Sequence, residues 1–359
     1  MQRSIFIVSE DLVEPWDEGI KKFTVSIARA LAPDHAVRVV NVDVSGLAAA
    51  RNGSAAGGDS VRDLPGSRTF ASMALRRAMR DARPDAVIYI PSPSDTVASI
   101  LRSFALRRHC PRARVGMVAL IPRRHGRPLR PLLQVAAPHR IFVPSYASLL
   151  HLCDLGIAGK TLPVGVDLAT FRPAAGGEKQ RLRREHGIAE DAFVYMHVGH
   201  LRPKRNLGVL AKIAGLPGAA VVVIGSTSTP QDARVRDELA SAGVRVIREF
   251  VPVHEYYRMA DAYVFPTVDG EGCVEIPLSV LEALASGVPV LARPFGGLRD
   301  FVAPGDDVRY FDTDDELLAH AAALQRGPAP LVRDMRAFAW RHVAEQLLTD
   351  LMDNAGDKA

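Results

Sequence analysis

EIPLSVLEALASGVPVLARP, residues 275–294, joins a helix to a strand at a glycine. Pro277 and Ser279 suit the start of a helix and Gly287 suits its stop, which predicts a helix over about Pro277–Ser286. VPVLA follows directly, a short apolar run without polar alternation, as in a strand buried on both faces. Such a strand belongs to a parallel sheet covered by helices. Glu275 and Glu282, with Glu271 just upstream, stand among apolar neighbours. A carboxylate in that setting is unfavourable unless a positive or hydrogen-bonding group meets it.

The same alternation runs along the whole chain. SIFIVSE, AVRVVNVD, DAVIYIP, RVGMVALI and RIFVPS are Val- and Ile-rich runs in the first half. FVYMHVGH, AAVVVIG, VRVIREF, AYVFPT and VPVLARP repeat the pattern in the second. Helical segments separate them. In EGIKKFTVSIARALA, for example, Ile20, Phe23, Ile27 and Leu31 share one face. The expected fold class is therefore α/β, with two doubly wound parallel sheets, each in a domain of its own, facing a cleft. The expected domains are residues 1–170 and 171–338, linked at FRPAAGGEK, with a last helix at about 339–359 crossing back onto the first. Residues 45–67, rich in Gly, Ala and Ser, read as a loop.

Length and composition agree: 359 residues, 48% hydrophobic and 24% charged, are ordinary for two globular domains. No run approaches a spanning helix, and MQRSIFIVSEDLVEP reads as a first strand rather than a signal peptide. Cys110, Cys153 and Cys273 are scattered, as in a reduced cytosolic protein, and imply no metal site. Charge is uneven. Residues 1–165 hold 23 Lys/Arg against 13 Asp/Glu, whereas the remainder holds 22 against 27. Between Asp95 and Asp154 there are ten arginines and no carboxylate. That field favours an anionic membrane surface or a phosphorylated acceptor. Nucleic acid is not expected, because interleaved aromatics and groove-reading motifs are missing.

Three motifs carry no function. GIAGKT at 156–161 imitates the end of a P-loop, but helix-like SLLHLCDL precedes it. DTD at 312–314 reads as an acidic helix N-cap and first turn. No GxGxxG follows a strand, which argues against a nicotinamide dehydrogenase. Two constellations remain. After FVYMHVGH comes a loop with Arg202, Lys204 and Arg205 and then a helix, a combination suited to an anion. Glu282, in the second turn of its helix, suits the vicinal hydroxyls of a ribose. Glu275 precedes that helix, and the N–H groups around Leu278 and Ser279 suit a diphosphate.

At these residues the chain resembles the retaining GT-B glycosyltransferases of the family-four type (glycosyl transferases group 1). VPSYASLLHLCDLGI with LPVGVDLATFRP, HVGHLRPKRN, FVPVHEYYRMADAYVFPT, LEALASGVPVLARPFGGLRD and FAWRHVAEQLL resemble that family's segments in the same order. The resemblance implies transfer of a sugar from a nucleotide diphosphate sugar with retention of anomeric configuration, and no obligatory metal or cofactor. It implies Glu275, Arg205 and Lys204 as catalytic residues. Donor binding falls to Glu282, Gly199, His200, Arg205, the backbone at Phe250 and Val251, Leu278, Ser279 and the Gly19 turn. The cysteines lead us to expect a cytoplasmic location, and the arginine-rich span a peripheral place at the inner face of the membrane.

The chain also departs from the family. Six residues separate Glu275 from Glu282 where seven are usual, and Val274 takes the usual glutamate position, with Glu271 in reserve. His200 replaces a usual arginine, Arg205 a usual lysine, and Val164 a common asparagine. A histidine near the reacting sugar has its counterpart in His125, some residues beyond the strand end. The acceptor is unspecified, and a lipid-linked or phosphorylated one fits the arginine-rich span. Two alternatives stay open: an epimerase or phosphorylase of the same fold, and a catalytically silent binding subunit.

Overall fold

Two wholly parallel sheets form, each in its own compact unit. The computed structural model describes residues 2–10, 12, 14, 18–43, 61–65, 70, 72–226, 231–268, 273–327 and 332–353. The first unit opens with β1 (Ser4–Glu10), α1 (Gly19–Leu31), β2 (Ala36–Asp43), β3 (Val61–Pro65) and α2 (Met73–Ala82). It continues through β4 (Ala86–Ile90), α3 (Val97–His109), β5 (Arg114–Val118), α4 (Arg130–Ala136), β6 (Arg140–Val143), α5 (Tyr146–Asp154) and β7 (Gly159–Thr161). Its strand order is β3-β2-β1-β4-β5-β6-β7.

The second unit contains α6 (Glu178–Glu185), β8 (Phe193–Gly199), α7 (Gly208–Ala214), β9 (Ala219–Gly225), α8 (Ala233–Ser241) and β10 (Arg245–Ile247). Next come α9 (Val253–Met259), β11 (Ala262–Phe265), α10 (Leu278–Ala285), β12 (Val290–Ala292), α11 (Leu298–Phe301), β13 (Val308–Tyr310) and α12 (Asp314–Arg326). Here the order is β10-β9-β8-β11-β12-β13. The last helix, α13 (Trp340–Met352), belongs to the first unit.

Central strands are buried on both faces because helices cover both. Ile5, Phe6, Ile7 and Val8 of β1 are all 2% exposed or less, and Ile7 lies in register between Val39 and Ile88. Each such side chain contributes roughly 1.5–3 kcal/mol on burial. The three strands that the apolar runs did not announce, β3, β7 and β13, are all edge strands. β7 reads GKT and none of its residues is fully buried, so no apolar signal was required of it. Its presence also shows GIAGKT to be a helix-to-strand turn. β3 corrects the reading of residues 45–67 as loop throughout; the rest of that stretch lies outside the described residues. At DTD, Thr313 is the N-cap of α12 and forms a capping box with Glu316, while Asp314, Asp315 and Glu316 fill the first turn.

The units divide between Val164 and Gly165, ahead of FRPAAGGEK. That stretch is tied into the second unit: Phe171 is buried, its ring centroid 5.7 Å from Tyr257, and Ala175 N–H donates to Glu178. In the first unit, α13 packs on α1 with the Trp340 ring edge-on to Phe23 at 5.6 Å. Gly116 in β5 permits this approach, since a Cβ there would meet Leu351 Cδ1 at 3.0 Å. Arg114 and Arg140 donate to the carbonyls of Leu351 and Asp350, closing the negative end of the helix. At the carboxyl end of β1, Glu10 is 3% exposed, accepts from Arg102 Nη1 at 2.8 Å, and also receives the Tyr89 hydroxyl. Burial first, and then the Glu10 charge, push the Tyr89 phenol well above its usual pKa.

Candidate active site

In an open parallel sheet, ligands bind beyond the carboxyl ends of the strands where the strand order reverses. The reversals fall between β1 and β4 in the first unit and between β8 and β11 in the second. In the second unit, β8 ends at Gly199, half-buried His200 follows, and a 3-10 turn spans Pro203–Arg205. Asn206 then takes φ 54°, and α7 begins at Gly208. Arg205 is 6% exposed on this turn, whereas Lys204 is exposed. The chain thus separates the two cations that the sequence treats alike: one is embedded in the strand end and one is in solvent.

Beyond the neighbouring strand β11, α10 runs from Leu278 to Ala285 with Pro277 as its N-cap, as expected within one residue. Its first N–H groups, those of Leu278 and Ser279, precede the intrahelical ladder. Glu282 is 5% exposed, and Tyr257 Oη lies 3.3 Å from its Oε2 and 3.1 Å from the Ser279 carbonyl. One phenol proton therefore serves two acceptors on adjacent turns. Phe250, 77% exposed, and half-buried Val251 lie between β10 and α9 in the same unit.

The sequence did not single out His197, which sits inside β8. Its Nδ1 donates to the Val264 carbonyl of β11 at 2.8 Å, and its Nε2 is buried without a hydrogen-bond partner. A Cβ on Gly199 would meet that Nε2 at 3.0 Å, so the glycine leaves the room the ring fills. Burial first, with the nearby Arg205 charge adding to it, pushes His197 down to about 4 from 6.5. The unfolded chain thus takes up this proton first as pH falls. Stability from neutral His197 is complete above 6.5 and is lost downward from there, by ~3 kcal/mol once pH reaches the folded value. Urea unfolding between pH 7 and 5 should show this loss in the native chain and a flatter slope in His197→Phe. Equal slopes would disprove the buried neutral ring. His125 does not mimic the effect: its pKa is raised, so its contribution is present below 6.5 and is lost as pH rises.

Glu275 departs from expectation. Cys273–Glu275 belong to the first unit, although the chain on either side builds the second. The Glu275 N–H donates to the Leu120 carbonyl at 3.0 Å, and both carboxylate oxygens lie 3.4 Å from Ser148 Oγ. The carboxylate thus approaches the first turn of α5, whose N-cap is Ser145. It lines a pocket of about 40 Å³ with Asp95, Arg123, Arg124, Ser148 and His151. Glu271 lies outside the described residues. Gly19 is the first residue of α1, after the β1 strand end.

His125 is 9% exposed, with Nε2 2.8 Å from the Asp95 carbonyl oxygen and 3.6 Å from its carboxylate. The Asp95 carboxylate first, against the effect of burial, and then the carbonyl bond hold its imidazole above the usual value. Its backbone N–H donates to His151 Nε2 at 2.9 Å, so this nitrogen of His151 is unprotonated. Burial first, then the Arg124 charge, lower the His151 pKa and favour that state. His125 therefore serves as the buried brace of the pocket, not as one of its lining residues. Asp95, Ser148 and His151 had no sequence signal beyond the Ser145–Ser148 spacing of a helix start.

Comparison with known proteins matches residues 178–326 to the family described as Glycosyl transferases group 1. D-inositol 3-phosphate glycosyltransferase from Geodermatophilus obscurus is 32% identical over 214 residues, covering 52% of this chain and 45% of that protein. The Frankia alni protein of the same name is 30% identical over 259 residues, covering 63% and 62%. The chain spans about half the length of the curated relatives it matches. Among solved structures, Anabaena HepE in complex with UDP and glucose superposes with TM-score 0.70 at 14% identity, over 98% of this chain and 99% of that one. A Rickettsia africae glycosyltransferase gives 0.73 at 11%, over 99% and 100%. These likenesses identify the GT-B fold.

Proposed function

We propose that the chain is a member of the glycosyl transferases group 1 family, which residues 178–326 match, and that it transfers a sugar from a nucleoside diphosphate sugar to an acceptor hydroxyl, with retention at the anomeric carbon. The observation that carries this reading is the β8/β11 reversal. It brings the Gly199–Arg205 turn and the start of α10 to adjacent strand ends. Arg205, assisted by Lys204, neutralises the diphosphate as it leaves, and the Leu278 and Ser279 N–H groups receive its oxygens. Glu282, oriented by Tyr257, accepts from the ribose hydroxyls. The exposed Phe250 ring and the backbone at Val251 meet the base.

The first-unit pocket that Glu275 lines takes the acceptor. Arg123 and Arg124 make that pocket suitable for an acceptor bearing phosphate, as the names of the inositol-phosphate relatives indicate for those enzymes. Thermal unfolding with UDP, GDP, ADP and dTDP tests the donor half. One nucleotide at about a hundred times its dissociation constant should add ~2.7 kcal/mol to native stability. Glu282→Ala should lose most of that gain. A gain that Glu282→Ala retains would remove Glu282 from the ribose site. No gain with any nucleotide would favour a silent binding subunit.

A further inference from the structure

We propose that the segment Arg127–Val135 of the first unit docks on an anionic lipid bilayer. The ten arginines between Asp95 and Asp154 divide sharply. Arg102 and Arg140 are buried, Arg107 donates to the Ala137 carbonyl at the end of α4, and Arg114 holds α13. The other six, Arg127 and Arg130 among them, are exposed. Among the described residues, six of the ten exposed large hydrophobic side chains also fall between Leu101 and Leu150. Charge and apolar surface therefore coincide in the longest stretch of the chain that holds no carboxylate.

The centre of this surface is the 3-10 turn Arg127–Leu129 followed by α4, which reads Arg-Pro-Leu twice. Leu133 and Ala136 face the core. Leu129, Leu132 and Val135, at i, i+3 and i+6, point outward at 37%, 45% and 67% exposure. A protein partner would select an interface core rich in Tyr and Trp and depleted of charge. Here each outward leucine instead has a guanidinium three positions or fewer away. That arrangement lets aliphatic groups enter the acyl boundary while the cations meet phosphates. No helix among the described residues is long and apolar enough to cross a membrane, so the contact is with the surface. The inference stands independently of the transferase reading.

Co-sedimentation of the full chain with vesicles tests it. At low salt, vesicles mixing phosphatidylcholine with phosphatidylglycerol should bind the chain, and phosphatidylcholine alone should not. Arg127→Gln and Arg130→Gln should each weaken binding roughly five-fold. Leu132→Ser with Val135→Ser should weaken it about tenfold or more. Arg76→Gln with Arg77→Gln, on exposed positions of α2, should have no effect, and unfolding midpoints should not move because every altered side chain is exposed. Failure to bind mixed vesicles, or indifference to the Leu132/Val135 pair, would overturn the proposal. So would an equal loss from the α2 pair, which would mean diffuse charge. Binding to soluble polyglutamate that needs Leu132, with none to vesicles, would replace the bilayer with an acidic protein.

Discussion

Arg205→Ala is expected to lower turnover about 100-fold or more, as removal of one preorganised charge at a reacting oxygen commonly does. The residue is suited to this because its backbone is fixed in a turn and its side chain is already buried before any ligand arrives. The residue is 6% exposed on the turn after β8, and its backbone N–H donates to the Arg202 carbonyl at 3.0 Å. A cation held where water is scarce acts strongly on a developing diphosphate charge and needs no rearrangement to do so. Arg205→Lys keeps the charge and loses the planar fork, so it should recover only part of the turnover. The measurement is kcat and KM with the sugar of whichever nucleotide stabilises the chain, beside an unfolding midpoint as a check on folding. An unchanged kcat in the alanine variant would remove Arg205 from the mechanism. A fall in both variants that tracked lost stability would make it a structural residue.

Arg102→Ala should destabilise the first unit by roughly 3–5 kcal/mol, because it strands the buried Glu10 carboxylate. Glu10 and Arg102 are 3% and 7% exposed and 2.8 Å apart, and Tyr89, fully buried, donates its hydroxyl to the same carboxylate. The native pair need not stabilise the fold by that amount, since desolvation offsets much of its attraction. What the variant loses is the compensation for a charge already removed from water. Glu10→Gln in the Arg102→Ala background should therefore restore part of the loss, by removing the charge left behind. Tryptophan fluorescence follows this unit through Trp340, whose ring packs edge-on to Phe23 of α1. An urea midpoint unmoved by Arg102→Ala would show that water reaches Glu10.

The proposed donor-side residues were legible because each stands on an element with a local signal. α10 announces itself by Pro277, its apolar run and Gly287, so the place of Glu282 on the helix followed from spacing alone. The Arg205 turn follows a strand whose apolar run ends at Gly199. His197 was hidden by the same strand. In a strand buried on both faces, a neutral histidine occupies a core position like any other side chain, and only the Val264 carbonyl across the sheet shows how its proton is placed.

By itself the sequence determined what is periodic: the alternating strands and helices, the two wound sheets, the helix positions and the charge asymmetry. Those properties depend on neighbours within a few residues, which the chain order supplies directly. Only the tertiary structure decided where the exceptions go. The edge strands β3, β7 and β13 pair through backbone groups and need no apolar run. Glu275 joins the first unit through a bond to the Leu120 carbonyl, 155 positions earlier in the chain. His125 turns inward to Asp95, and Leu132 and Val135 turn outward from the core. A loop's destination and a short helix's outward face are set by what distant segments leave uncovered, and no local pattern records that.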